Sequence, residues 1–141
     1  MKVLVDASLI IYLNVRLPPR EAELVEAFWS KLVQEHDLYT NVLALDEALY
    51  VSSRKYDVPY AATLELIERV VLPFVEVLPL GLEEYLASRK YIAKYGLKPS
   101  DALHAATVEV HNLHAVASED ADFDRAGIAR LWVASTGASR A

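Results

Sequence analysis

The chain has 141 residues, a net charge of −6, a pI of about 5.2 and no cysteine. That length suits one domain with a real core, and the missing thiols exclude disulfides and thiolate metal sites. The acidity excludes a protein that holds nucleic acid by bulk positive charge, and no apolar run reaches the ~18 residues of a membrane span.

Residues 2–6 read as a short buried strand, apolar and β-branched, that stops at Asp6-Ala7-Ser8. Residues 7–14 predict a short helix, which Pro18-Pro19 cannot extend. Residues 20–36 predict a longer one, with Leu24, Ala27, Phe28, Lys31 and Leu32 at the spacing of one face. A second strand is expected over 38–41, then helices over 43–56 and 60–71. A third strand is expected over 73–77, ended by Pro79-Leu80-Gly81. The next helix spans 82–95 and closes at Gly96. Ser100 reads as the N-cap of a helix over 101–112. A fourth strand over 115–118, a helical turn over 123–126 and a fifth strand over 131–134 complete the chain. Strands alternating with helices imply an α/β fold: a mostly parallel sheet covered on both faces. No repeat or linker interrupts it, so residues 1–141 are expected to form a single domain. The apolar share, 54%, fits either a buried subunit interface or a very hydrophobic core.

Four acids stand where such a fold builds its sites, at strand ends and the helix starts that follow. Asp6 closes the first strand and is also a natural cap for the next helix. Glu47 lies in the apolar run Leu43-Ala44-Leu45-Asp46-Glu47-Ala48-Leu49-Tyr50, on one face with Leu43 and Tyr50. A partly buried carboxylate there needs a partner or an ion, whereas Asp46 reads as solvated. Asp101 opens Ser100-Asp101-Ala102-Leu103-His104-Ala105-Ala106, where the helix dipole also favours an acid. His104, one turn on, reads as a structural or surface residue rather than a ligand, and the preference of hard cations for oxygen points the same way. Asp120 follows the fourth strand in Ser118-Glu119-Asp120-Ala121-Asp122-Phe123-Asp124. Phe123 is positioned to anchor that loop while Asp120 and Asp122 aim into one pocket.

Clustered acids suit phosphodiester hydrolysis. Mg²⁺ takes near-octahedral oxygen ligation and keeps positions for water and substrate. One or two such ions activate water, offset phosphoryl charge and assist the leaving oxygen. Left empty, the cluster repels itself until a metal or a proton neutralises it.

In the order, spacing and placement of these four segments, Val5-Asp6-Ala7-Ser8 foremost, the whole chain resembles the PIN-domain family of VapC-type ribonuclease toxins. The resemblance implies a three-layer α/β/α sandwich whose five parallel strands are ordered 3-2-1-4-5. It makes Asp6, Glu47, Asp101 and Asp120 the catalytic, metal-holding quartet, with Asp122 as an added metal ligand and Ser8 as a hydroxyl beside the first acid. It implies a Mg²⁺- or Mn²⁺-dependent endoribonuclease that cleaves RNA with a metal-activated water. It also implies a homodimer paired with a small antitoxin in a type II toxin–antitoxin system, and the absence of cysteine fits a cytoplasmic protein. Arg54-Lys55-Tyr56 and Arg89-Lys90-Tyr91 with Lys94-Tyr95 mix cations with aromatics, which suits RNA backbone contact and base stacking, with a solvated helix face the slightly favoured alternative.

Two other classes fail on single residues. A haloacid-dehalogenase-like phosphatase needs an acid where Ser8 stands. A receiver domain needs an aspartate after the third strand, where the chain reads Leu78-Pro79-Leu80. An RNA-processing PIN nuclease without an antitoxin, or a PIN-like domain that only binds RNA or protein, remain as alternatives.

Overall fold

In the computed structural model, which describes residues 1–133, strand β1 (Lys2–Val5) is the centre of the sheet. Val3, Leu4 and Val5 are fully buried, so both faces of this strand must be covered. The remaining strands are β2 (Asp37–Asn41), β3 (Val75–Leu78), β4 (Ala115–Ala117) and β5 (Arg130–Leu131). All pair in parallel, in the order β3-β2-β1-β4-β5.

Alternation along β1 assigns the two cores. Val3 and Val5 face helices α1 (Ala7–Asn14), α2 (Pro19–Glu35), α3 (Val42–Tyr56) and α4 (Tyr60–Leu66). Leu4 faces α5 (Leu82–Ala93), α6 (Pro99–Val110) and α7 (Asp122–Arg125). The result is the three-layer α/β/α sandwich with the expected strand order. Among the described residues, no helix is long and apolar enough to cross a membrane.

Several boundaries differ from the sequence expectation, each for a local reason. Helix α2 buries Val25, Phe28, Trp29 and Leu32 and leaves Leu24 and Lys31 exposed. Both stripes contain Phe28 and Leu32, and the one that buries Trp29 instead of a lysine prevails. Helix α4 ends in a π turn over Ile67–Val71, closed by Leu72 N–H to Ile67 C=O at 2.9 Å, which puts Ile67 and Val71 into the core. Pro73 and Phe74 then lie in a turn, so β3 starts at Val75. Ser100 is not the cap of α6: the helix begins at Pro99, whose fixed φ suits the first helical position, and Lys98 is the N-cap. Strand β5 is shorter than expected. Trp132 lies beyond it and packs against the rings of Tyr12 and Phe28 at 5.9 and 5.6 Å, and Ala134 of the expected strand lies outside the described residues.

Gly96 ends the α5 segment with φ +67, the left-handed geometry that favours glycine. On the same side of the sheet, Phe123 is fully buried and pins α7, and with it the acidic loop, to the core. We expect Phe123→Ala to lower the unfolding free energy by about 3–5 kcal/mol, the usual range for a buried phenylalanine. Urea denaturation measures this; a loss below about 1 kcal/mol would show that the loop is held by other contacts.

Candidate active site

The C-terminal ends of β1, β2 and β4 converge with the N-terminal turns of α1, α3 and α6. Asp6 leaves β1 with its N–H still bonded to Ala117 C=O at 3.1 Å, so the sheet itself fixes its backbone. Its side chain is buried and caps α1, with Oδ1 accepting from Ala7 N–H at 2.6 Å. Oδ2 accepts from the Ser118 hydroxyl at 2.7 Å. That same hydroxyl oxygen accepts from Asp120 N–H at 3.0 Å, and Asp120 Oδ1 accepts from Asp122 N–H at 2.9 Å. One chain of hydrogen bonds thus carries the position of Asp6 into the loop after β4.

Glu47 comes from the second turn of α3, with Oε1 2.8 Å from His104 Nε2. His104 Nε2 also lies 3.5 Å from Asp6 Oδ1. Asp101, in the first turn of α6, is half-buried beside Asp120. Burial, the hydrogen bond and charge of Asp120, and the charge of Asp6 push its carboxyl up to about 7; His104 opposes them only in part.

The four predicted acids Asp6, Glu47, Asp101 and Asp120 all line one cleft of about 420 Å³, together with Ser8, Ile11, Val51 and Glu119. Two sets of potential ligand atoms each fall within 4.8 Å of one another: Asp6, Glu47 and His104, and Asp101, Asp120 and Asp122. Asp122 does not line the cleft. Its Oδ1 accepts from Arg125 Nη1 at 2.8 Å, and Arg125 is itself fastened to the carbonyls of Tyr95 and Gly96. Asp46 points away, beside Leu49, Tyr50, Tyr60 and Leu64, and Tyr50 is exposed rather than sharing the inward face of Glu47. Ser8 accepts from Glu119 N–H at 3.1 Å. Ser118 is therefore the hydroxyl bonded to the first acid. No local signal in the sequence singles it out, since Ser8 and Ser118 each stand two positions from an acid at a strand end.

The expected nucleic-acid contacts divide. Tyr91 is buried, with its hydroxyl donated to Glu109 at 2.7 Å, and Lys90 pairs with the same carboxylate at 2.7 Å. That ring is a core residue and cannot stack on a base. Arg54 and Lys55 are exposed. Glu47 and Val51 line the cleft, and Lys55 is one turn further along their face of α3.

The donor set of the cleft suits a hard cation. Its carboxylate oxygens come from separate elements, and a cation would compete with the proton that burial and the neighbouring acids favour on Asp101. Magnesium and manganese fit this set better than softer metals, given that cysteine is absent.

The cleft thus lies at the topological switch point of the sheet, where an α/β fold gathers its functional side chains. Residues 3–129 match the PIN domain family. The chain belongs to that family, whose members are generally nucleases. Solved structures agree on the fold. VapC20 of Mycobacterium tuberculosis, described as a Sarcin-Ricin loop cleaving toxin, is 16% identical with a TM-score of 0.72, covering 89% of this chain and 95% of that one. FitAcB of Neisseria gonorrhoeae is 23% identical with a TM-score of 0.68, covering 92% and 96%. VapBC2 of Rickettsia felis, solved bound to a DNA fragment from its promoter, is 16% identical with a TM-score of 0.68, covering 94% and 98%. Comparison with curated proteins returns no match.

The raised Asp101 has a pH signature. Its proton is bound more tightly in the folded chain than in the unfolded one. The stability this adds is complete below the ordinary carboxylate value of 3.8 and is lost as pH rises through about 7. Without cations, the protein should lose stability over that window, and Asp101→Asn should flatten the slope. Cation binding needs the free carboxylate, so Mn²⁺ affinity measured by calorimetry should rise between about pH 5.5 and about pH 8. Affinity that stays level across that range would show that Asp101 carries no such proton.

Proposed function

We propose that this chain is a Mg²⁺- or Mn²⁺-dependent endoribonuclease and the toxin of a type II toxin–antitoxin pair. The observation that carries the reading is the meeting of Asp6, Glu47, Asp101 and Asp120 in one cleft, from four separate elements. Asp6 and Asp101 hold the principal cation. Glu47 and Asp120 complete the set through water or a second ion, and Asp122 stands behind Asp120 as a further acid.

A divalent cation bound there supplies charge for the phosphoryl oxygens and a nucleophile from water. The chain's residues do the rest by position. Ser118 and the α1 N-terminus fix the orientation of the Asp6 carboxylate through one hydrogen bond to each of its oxygens. The first turn of α6 places Asp101 opposite. Arg54 and Lys55, on α3 beyond the cleft, are the cations best placed to meet an RNA backbone. No histidine or serine nucleophile is required.

Complexes among the structural neighbours support a protein partner. FitAB was solved on a DNA fragment, and a Klebsiella pneumoniae neighbour is described as a toxin–antitoxin complex. The proposed partner is a small antitoxin with an arginine that reaches the carboxylates. The proposed assembly is a cytoplasmic homodimer in which residues 1–141 act as one domain.

Asp6→Asn tests the reading. Asparagine keeps the shape and can still cap α1, but it removes a charged ligand. Lewis-acid stabilisation amounts to several kcal/mol and each ~1.4 kcal/mol is about tenfold. Cleavage of single-stranded and structured RNA oligonucleotides in Mn²⁺ should therefore fall by roughly 100-fold or more, with an unchanged circular dichroism spectrum. Undiminished cleavage would assign the activity to a contaminant.

A further inference from the structure

Behind the cleft, one polar network crosses the sheet from α3 to α6, and every atom in it has an assigned role. Asn41 is the last residue of β2 and the N-cap of α3, with Oδ1 accepting from Ala44 N–H at 2.9 Å. That bond fixes the orientation of the amide, since the reversed group would set NH₂ against N–H. The Asn41 Nδ2 hydrogens point at two acceptors. One is Thr107 Oγ1, at 3.1 Å, whose own hydroxyl is donated to Leu103 C=O at 2.8 Å. The other is His104 Nδ1, at 3.2 Å. Nδ1 must then accept, and the ring proton sits on Nε2. From there it is directed at Glu47 Oε1, at 2.8 Å, and towards Asp6 Oδ1, at 3.5 Å. All three of Asn41, His104 and Thr107 are 0–1% exposed, so water does not compete for these bonds.

We propose that His104 is a positioning residue: Asn41 and Thr107 lock it as the Nε2–H tautomer, and it aims Glu47 and Asp6 at the cation while being barred from coordinating the ion itself. The inference rests on the cation-dependent reading above and adds to it the reason the site stays all-oxygen. Judged by distance alone, Asp6, Glu47 and His104 would pass for a mixed nitrogen–oxygen metal site. The tautomer decides otherwise, because a ring nitrogen that carries a proton has no lone pair to give a metal. Burial opposes a charge on the ring, but the surrounding carboxylates outweigh it and raise the ring's pKa. A second ring proton would, however, sit on Nδ1 and face the Asn41 N–H. A dication on Asp6 and Glu47 would also repel it.

Outer-shell donors of this kind change metal affinity by about 10–100-fold when removed. Three measurements on the full chain decide the matter. Long-range ¹H–¹⁵N spectra of the cation-free protein should show His104 protonated at Nε2 and bare at Nδ1. Electron spin-echo modulation of the Mn²⁺-loaded protein should show no directly bound imidazole nitrogen. Mn²⁺ calorimetry should show affinity about 10–100-fold weaker in His104→Leu and largely restored in His104→Gln, whose amide keeps a donor near Nε2. Equal affinity in His104→Leu would make the ring a core filler and overturn the proposal, as would a strong nitrogen coupling or an Nδ1–H ring. These outcomes leave the nuclease reading intact. A wild-type chain that binds no Mn²⁺ would overturn both.

Discussion

Like charges gathered in a small space must be held there, and this constraint organises the cleft. Two carboxylates ~4 Å apart repel by about 1 kcal/mol in water and by about 4 kcal/mol in surroundings typical of a protein surface. The chain answers each acid with a different device. Asp6 receives the Ala7 N–H and the Ser118 hydroxyl, and Glu47 receives the His104 ring N–H. Asp101 and Asp120 share a hydrogen bond, and Asp122 is held by Arg125. None of these devices removes the charge deficit at the centre. The cation proposed above would offset that charge, and without it the cluster costs stability.

The sheet order makes the gathering geometrically simple. With β2 and β4 on either side of β1, the chain leaves neighbouring strand ends in different directions, and a crevice opens where it does. Asp6 stands at the end of β1, Asn41 at the end of β2 and Ser118 at the end of β4. Helices α3 and α6 then approach from opposite layers with Glu47 and Asp101. The Asn41–His104–Thr107 network joins those two layers across the top of the sheet, so the fold and the site share the same hydrogen bonds.

Much of this could be read from the residues themselves. Lys2-Val3-Leu4-Val5 before Asp6 announces a buried strand that ends in an acid, and Phe123 announces the anchor of the acidic loop. Glu47 rather than Asp46 faces inward because its neighbours at helical spacing are apolar. What could not be read depends on cross-chain partners. Nothing local distinguishes Ser8 from Ser118 as the hydroxyl on Asp6; the choice is made by β1–β4 pairing, 112 residues apart in sequence. The role of His104 is hidden for the same reason, since its tautomer is set by Asn41, 63 positions away. Tyr91 sits in a basic, aromatic segment that suits nucleic acid, yet packing of α5 on α6 buries its ring. The stripe on α2 was ambiguous by one position because two registers share Phe28 and Leu32.

The central claim is that distant carboxylates form one seat for a divalent ion. Anomalous diffraction from crystals soaked in Mn²⁺ tests it most directly. The account predicts a manganese peak between Asp6 and Asp101, with oxygen ligands at about 2.0–2.3 Å and none from His104. A cleft without anomalous density at high manganese concentration would contradict it.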